Sequence, residues 1–158
     1  MDNSAGTFAA VFVALLVAHS VGDHWIQTGW QAARKGEPNR TGRIACGRHV
    51  VTLTVTKAVL LLIAVAVLGL DVGAVGVVLG LGVDAASHYW ADRRSTLARL
   101  AMACRKREFY NMGTPADPLH PATAHGGYAP TLGTGAYALD QSWHHLWLFV
   151  AALIIAAV

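Results

Sequence analysis

Four stretches of the chain are dominated by apolar residues, and each reads as a membrane-crossing helix. The first runs from Thr7 to about Gln27 and meets no ionisable group until His19. The second, Val50 to Leu70, is broken only by Thr52, Thr54, Thr56 and Lys57, and a helix satisfies threonine hydroxyls against its own carbonyls. After a short turn at Asp71, Val72 to Val83 is uncharged, and the pattern continues through Asp84 and His88 to about Ala91. The last run, Leu146 to Val158, is short alone, but a helix starting near Asp140 reaches ~28 Å at 1.5 Å per residue. A span takes about 20 residues, so the pattern predicts four transmembrane helices at about 7–27, 50–70, 72–91 and 140–158.

The connections differ in character. Residues 28–49 read as a basic loop carrying Arg34, Lys35, Arg40, Arg43 and Arg48. Over 93–107, Leu97, Leu100, Ala101 and Cys104 recur at helical spacing among Arg93, Arg94, Arg99, Arg105, Lys106 and Arg107. That is the pattern of an interfacial helix, or of a snorkelling extension of the third span. Residues 109–139 are rich in Gly and Pro with Asp117 as the only charge, which suits an irregular segment, either a lid over a site or a plain connection.

Composition turns this pattern into a fold class. The chain is 54% hydrophobic and only 13% charged, against roughly 25% charged for soluble domains. Such a mixture cannot cover a water-facing surface, and it lacks the charge of a disordered chain. The 158 residues are used up by four spans and their connections, giving a single all-α membrane domain over 1–158. The flank from Met1 to Gly6 holds Asp2 and no Lys or Arg, unlike a secretory signal, so the first helix is expected to be retained. Cys46 and Cys104 set no disulfide framework.

Charge placement then gives orientation. Eleven of the twelve Lys and Arg lie in the two long connections, and basic loops stay cytoplasmic, so both termini are expected outside. Trp25, Trp30, Trp90, Trp143 and Trp147 all fall at the cytoplasmic helix ends, where aromatic belts sit.

The polar residues inside the spans carry the candidate chemistry. Span one ends in His19, Asp23 and Gln27, and span three in Asp84, His88 and Asp92. A spacing of four advances ~40° around a helix, so each trio forms one stripe. Gly76 and Gly80 continue the span-three stripe and permit close helix approach, so it faces protein. His49 opens span two, ahead of Thr52 and Thr56, and Asp140 opens span four, with His144 four residues later. The topology puts all four stripes at one depth near the cytoplasmic face, and ionisable residues in a span normally face the bundle interior.

Imidazole plus carboxylate at inward-facing helical spacing is a ligand set for metals. His19, Asp23, His49, His88, Asp92 and His144 are the candidate ligands of one or two divalent ions, with zinc first and iron or manganese as alternatives. Asp84 and Asp140 are left as proton acceptors, and Arg48, Lys57, Arg93 and Arg94 as partners of an anionic substrate group. The plainer alternative is that these residues only pair across helices and hold the bundle together. His24 and His145 are turned ~100° from the stripes and read as interfacial. His120 and His125 are lid ligands or solvated loop residues. A weak echo, His19-x3-Asp23 then His49 against His88-x3-Asp92 then His144, would suit two helix pairs related by an axis along the membrane normal.

The pattern of His19-x3-Asp23-x3-Gln27, an isolated His49, His88-x3-Asp92, and Asp140-Gln141 followed by His144 resembles a family of small bacterial and phage integral membrane proteins known only as a domain of unknown function. The resemblance covers most of the chain outside the Gly/Pro-rich segment. It implies a helical protein of a bacterial inner membrane, bacterial or phage-encoded, and it supplies no activity.

The residues themselves favour a membrane-embedded, metal-dependent hydrolase acting at the cytoplasmic interface on a lipid, a lipid-linked phosphate or a membrane peptide. A di-iron oxidase or hydroxylase is the redox alternative, disfavoured by the carboxylate share. A metal or proton transporter is disfavoured by the apolar outward halves of spans one, three and four. A structural membrane protein is the remaining alternative. The expected partners are the bilayer and anionic headgroups, with a homo-oligomer open and no nucleic acid.

Overall fold

The structure is a computed structural model and describes residues 4–113 and 133–158. Its elements are helical, with no strand among the described residues. Helix α1 spans Ser4–Val21 and runs on into a π turn, Gly22–Ile26. A short α2, Gly29–Arg34, and a long α3, Arg40–Leu68, follow. Then come α4 (Ala74–Asp92), α5 (Ser95–Ala103), α6 (Arg107–Tyr110) and α7 (Gly135–Ala157).

The helix ends follow from local chemistry. Thr28 caps α2 in a reciprocal box with Gln31, each side chain accepting from the other's backbone N–H. The Asn39 side chain accepts from Gly42 N–H at 2.8 Å and starts α3. Gly69, at φ 63°, ends α3 in the left-handed conformation that glycine adopts without steric cost. Thr134 caps α7 by accepting from Tyr137 N–H.

Helices α1, α3, α4 and α7 close a ring in which α1 packs on α3 and α7, and α4 packs on α3 and α7. Each buries one stripe along the bundle axis. Away from the polar end the stripes supply Val11, Leu15, Leu61, Leu81, Leu148, Ala151, Ala152 and Ile155, all buried in one core cluster. Between one and about three turns further along, the same stripes continue as His19, His49, Asp84, His88, Asp92 and His144, equally buried. Close packing of α4 on α7 depends on glycine: a Cβ at Gly80 would lie 2.8 Å from the Ala151 carbonyl oxygen and 2.7 Å from Ile155 Cγ1.

The outer faces are apolar. Val51, Val55, Val59, Leu62 and Val67 on α3 and Val75, Val78 and Leu79 on α4 are exposed. Two helices, Ser4–Ile26 and Arg40–Leu68, are long and apolar enough to cross a membrane. Most of each lies outside the core, unlike the buried central helix of a soluble protein.

Several expected boundaries shift. The stretch 28–49 is not a loop: it holds α2 and the first turns of α3, because basic residues do not oppose a helix once Asn39 caps it. His49 therefore sits well inside α3 instead of opening it. The segment expected as a helix over 93–107 is α5 over Ser95–Ala103, broken from α4 at Arg94, whose φ is 56°. Within 109–139, α6 reaches Tyr110 and α7 begins at Gly135, more than a turn before Asp140. The expected lid, with His120 and His125, lies outside the described residues.

Candidate metal centre

All four stripes end in one cluster. Asp23 reaches it from the π turn, in which the Gln27 N–H bonds to the Gly22 carbonyl five residues back at 2.9 Å. Single π turns of this kind recur at functional sites because they re-aim side chains within a continuous helix. Here the turn aims Asp23 inward while Trp25 and Ile26 stay exposed. Gly22 lets the turn approach α3, since a Cβ there would lie 2.2 Å from Leu53 Cδ1.

His49 Nε2 lies 3.0 Å from Asp23 Oδ1, 3.1 Å from His88 Nε2 and 3.3 Å from Asp92 Oδ2. His88 Nε2 is 3.2 Å from Asp92 Oδ2 and 3.9 Å from Asp23 Oδ1. Two ligands each ~2.05 Å from one ion are about 3.35 Å apart in a tetrahedral shell and about 2.9 Å apart in an octahedral one. Four of the five separations fall in that range. Proton counting points the same way. A neutral imidazole has one N–H, so His49 Nε2 can donate to at most one of the three atoms that crowd it, and His88 Nε2 is crowded likewise. Asp23 Oδ1 and Asp92 Oδ2 receive no well-formed hydrogen bond despite these approaches. The buried His and Asp side chains could hold a metal ion, as Asp23 with His49 and His88, or as His88 with Asp92 and His144.

His144 stacks on His88 with ring centroids 3.9 Å apart, and its Nε2 lies 3.5 Å from Asp140 Oδ2 and 3.9 Å from Asp92 Oδ1. His19 is buried beside these rings, 3.5 Å from Asp23 Oδ2, with neither nitrogen hydrogen-bonded. Asp23 and Asp140 are 10% and 18% exposed, whereas Asp92 is 2% exposed, so the cluster opens between the π turn and the start of α7. His24 lines that opening: its Nδ1–H donates to the Ser20 carbonyl, and its Nε2 accepts from the Tyr137 hydroxyl at 3.3 Å. His145 is exposed.

Other candidates sit elsewhere. Lys57 does not face an open site: its Nζ is 2.6 Å from Asp84 Oδ2, and the pair is sealed within the bundle. Asp84 is thereby taken up by an ammonium, one turn deeper than His88. Arg93 donates to the Lys35 and Glu37 carbonyls, and Arg94 to the Ala32 carbonyl at 2.8 Å. Both fasten α2 to the end of α4. Arg48 is exposed and lies over the Trp30 ring, 5.8 Å from its centroid.

The sequence pattern did not single out Lys35. Held by α2 and the Arg93 bond, it places Nζ 2.9 Å from Asp92 Oδ1. Burial opposes the ammonium, but Asp92, Asp23 and Asp140 together hold its pKa above the ordinary 10.5. Nothing in its spacing marks it, since it sits in a run of bases that reads as a loop.

No protein-family model matches this chain, and neither does any curated protein or solved structure.

Proposed function

We propose that the protein is a membrane-embedded, metal-dependent hydrolase whose ion is held by Asp23, His49, His88 and Asp92. The carrying observation is that His49 Nε2 has Asp23 Oδ1, His88 Nε2 and Asp92 Oδ2 at 3.0–3.3 Å, and His88 Nε2 has Asp92 Oδ2 at 3.2 Å, with too few protons for these atoms to bond one another. Charge supports a divalent ion. Asp23, Asp92 and Asp140 with Lys35 as their counter-charge leave two negative charges, and such a deficit is costly among largely buried groups.

An ion there would lower the pKa of bound water toward ~7 and polarise a phosphoryl or carbonyl oxygen. The protein supplies the rest. Asp140, at the opening and oriented by His144, takes up the proton released in hydrolysis. Lys35 fixes Asp92 from behind, as outer-shell partners fix metal ligands. Asp84, neutralised by Lys57, has no part in the chemistry.

The substrate is a lipid, a lipid-linked phosphate or a membrane peptide. The exposed apolar faces of α1, α3, α4 and α7 support four spans, and the basic residues around the cluster support a cytoplasmic opening with both termini outside. A groove between α5 and α7, lined by Leu97, Leu100, Leu139, Trp143 and Leu146 with Lys106 in its wall, suits an acyl chain with an anionic head. The test is product release from lipid vesicles by zinc- or manganese-loaded protein beside His49→Ala. Release by the wild type and at least a hundredfold less by the variant supports the assignment; equal rates contradict it.

A further inference from the structure

We infer that the centre takes two divalent ions, with the second bound by Asp92, His144 and Asp140, and that its substrate carries a phosphate ester. The second ion rests on the metal centre proposed above. It follows from how the carboxylates are turned. Asp92 presents its two oxygens to different groups: Oδ2 faces His49 and His88 at 3.3 and 3.2 Å, while Oδ1 faces His144 Nε2 at 3.9 Å. A carboxylate so placed can bridge two ions. Asp140 Oδ2 lies 3.5 Å from the same His144 Nε2, leaving Oδ1 for the proton. Both distances are within the roughly 4.2 Å spanned by two ligands on opposite sides of one small ion.

A second, independent observation is His144 itself. It is 1% exposed, and neither of its ring nitrogens has a hydrogen bond. A buried imidazole whose ring nitrogens make no hydrogen bond is costly, and Nε2, with carboxylate oxygens of Asp140 and Asp92 at 3.5 and 3.9 Å, has a use if a cation lies there. Asp92 Oδ1 already carries a cation, the Lys35 ammonium at 2.9 Å, and its remaining lone pair is free for an ion. His88, stacked on His144, is shared between the two ligand groups.

The substrate class follows from charge. One divalent ion neutralises the cluster, and a second gives it two positive charges in a largely buried setting. A phosphate group, with two negative charges and oxygens able to reach both ions, matches that excess. Ions ~3.5–4 Å apart clamp the attacking and leaving oxygens of phosphoryl transfer in this way. An amide or carboxylic ester carries no such charge.

The experiment uses the full chain in nanodiscs of phosphatidylethanolamine and phosphatidylglycerol, loaded with Mn2+ and read by equilibrium binding and by electron paramagnetic resonance. The wild type is expected to bind two Mn2+ per chain and to show the halved hyperfine spacing of a coupled pair. His144→Ala and His144→Gln are each expected to bind one, with an uncoupled six-line signal. Asp92→Asn is expected to lose the coupling. Inorganic phosphate is expected to bind at least tenfold tighter to the wild type than to His144→Ala. A wild type that binds one Mn2+, unchanged in both His144 variants and lost in His49→Ala, overturns the second ion while leaving the first. Loss of all Mn2+ in both His144 variants also overturns it, since His144 would then belong to the first ion. A wild type that binds no Mn2+ overturns both.

Discussion

Replacing Lys57 by Met removes the ammonium 2.6 Å from Asp84 Oδ2 and leaves a carboxylate that is 2% exposed with no counter-charge. Breaking a buried pair in this way costs about 3–5 kcal/mol. Replacing both partners with apolar residues, in K57M/D84L, removes the stranded charge and is expected to return stability to within about 1 kcal/mol of the wild type. Reversible unfolding in mixed detergent micelles at pH 7, as a double-mutant cycle, reads both values. The double variant is expected to keep its full metal content, because the pair lies outside the ligand set. A K57M penalty under 1 kcal/mol, a double variant no more stable than K57M, or metal loss in the double variant would refute the separation of this pair from the site.

Three further outcomes follow from the packing and the cluster. Gly80→Ala pushes a methyl against the Ala151 backbone and is expected to cost ~1–3 kcal/mol, while Gly82→Ala, which meets nothing within 4 Å, is expected to cost far less; thermal unfolding of the two variants checks this. Lys35→Met is expected to lower stability by ~1–3 kcal/mol. Because the Lys35 pKa is raised, that contribution is full below pH 10.5 and lost only as pH rises through the higher folded value, so the deficit should be equal at pH 7 and pH 9 in the same unfolding assay. Arg93→Ala removes the bonds to the Lys35 and Glu37 carbonyls, and hydrogen exchange is expected to quicken at least tenfold in α2 while α7 is unchanged.

The stripes were legible because helical spacing is a strong constraint. His19 and Asp23, or His88 and Asp92, four residues apart in apolar surroundings, can share a buried face in few other ways, and the structure gathers both pairs with His49, Asp140 and His144. The boundaries were less legible, since hydropathy reports where lipid-compatible residues begin and not where a helix begins. Pro38-Asn39 before Arg40 and the Thr28/Gln31 box were readable start signals masked by the bases around them. Lys57 with Asp84, and Lys35 with Asp92, were illegible for another reason. Each joins residues 27 or more positions apart, and only the rotation and depth of packed helices decide that they meet.

The most direct test of the metal centre is elemental analysis of protein purified without added metal, beside a His49→Ala, His88→Ala double variant. Retention of the double variant's helical content by circular dichroism would confirm that ligands, and not the fold, were removed. The centre described here predicts at least one zinc, manganese or iron ion per wild-type chain and at least a tenfold lower content in the variant. A wild type without stoichiometric metal, or a variant that keeps it, would contradict the account.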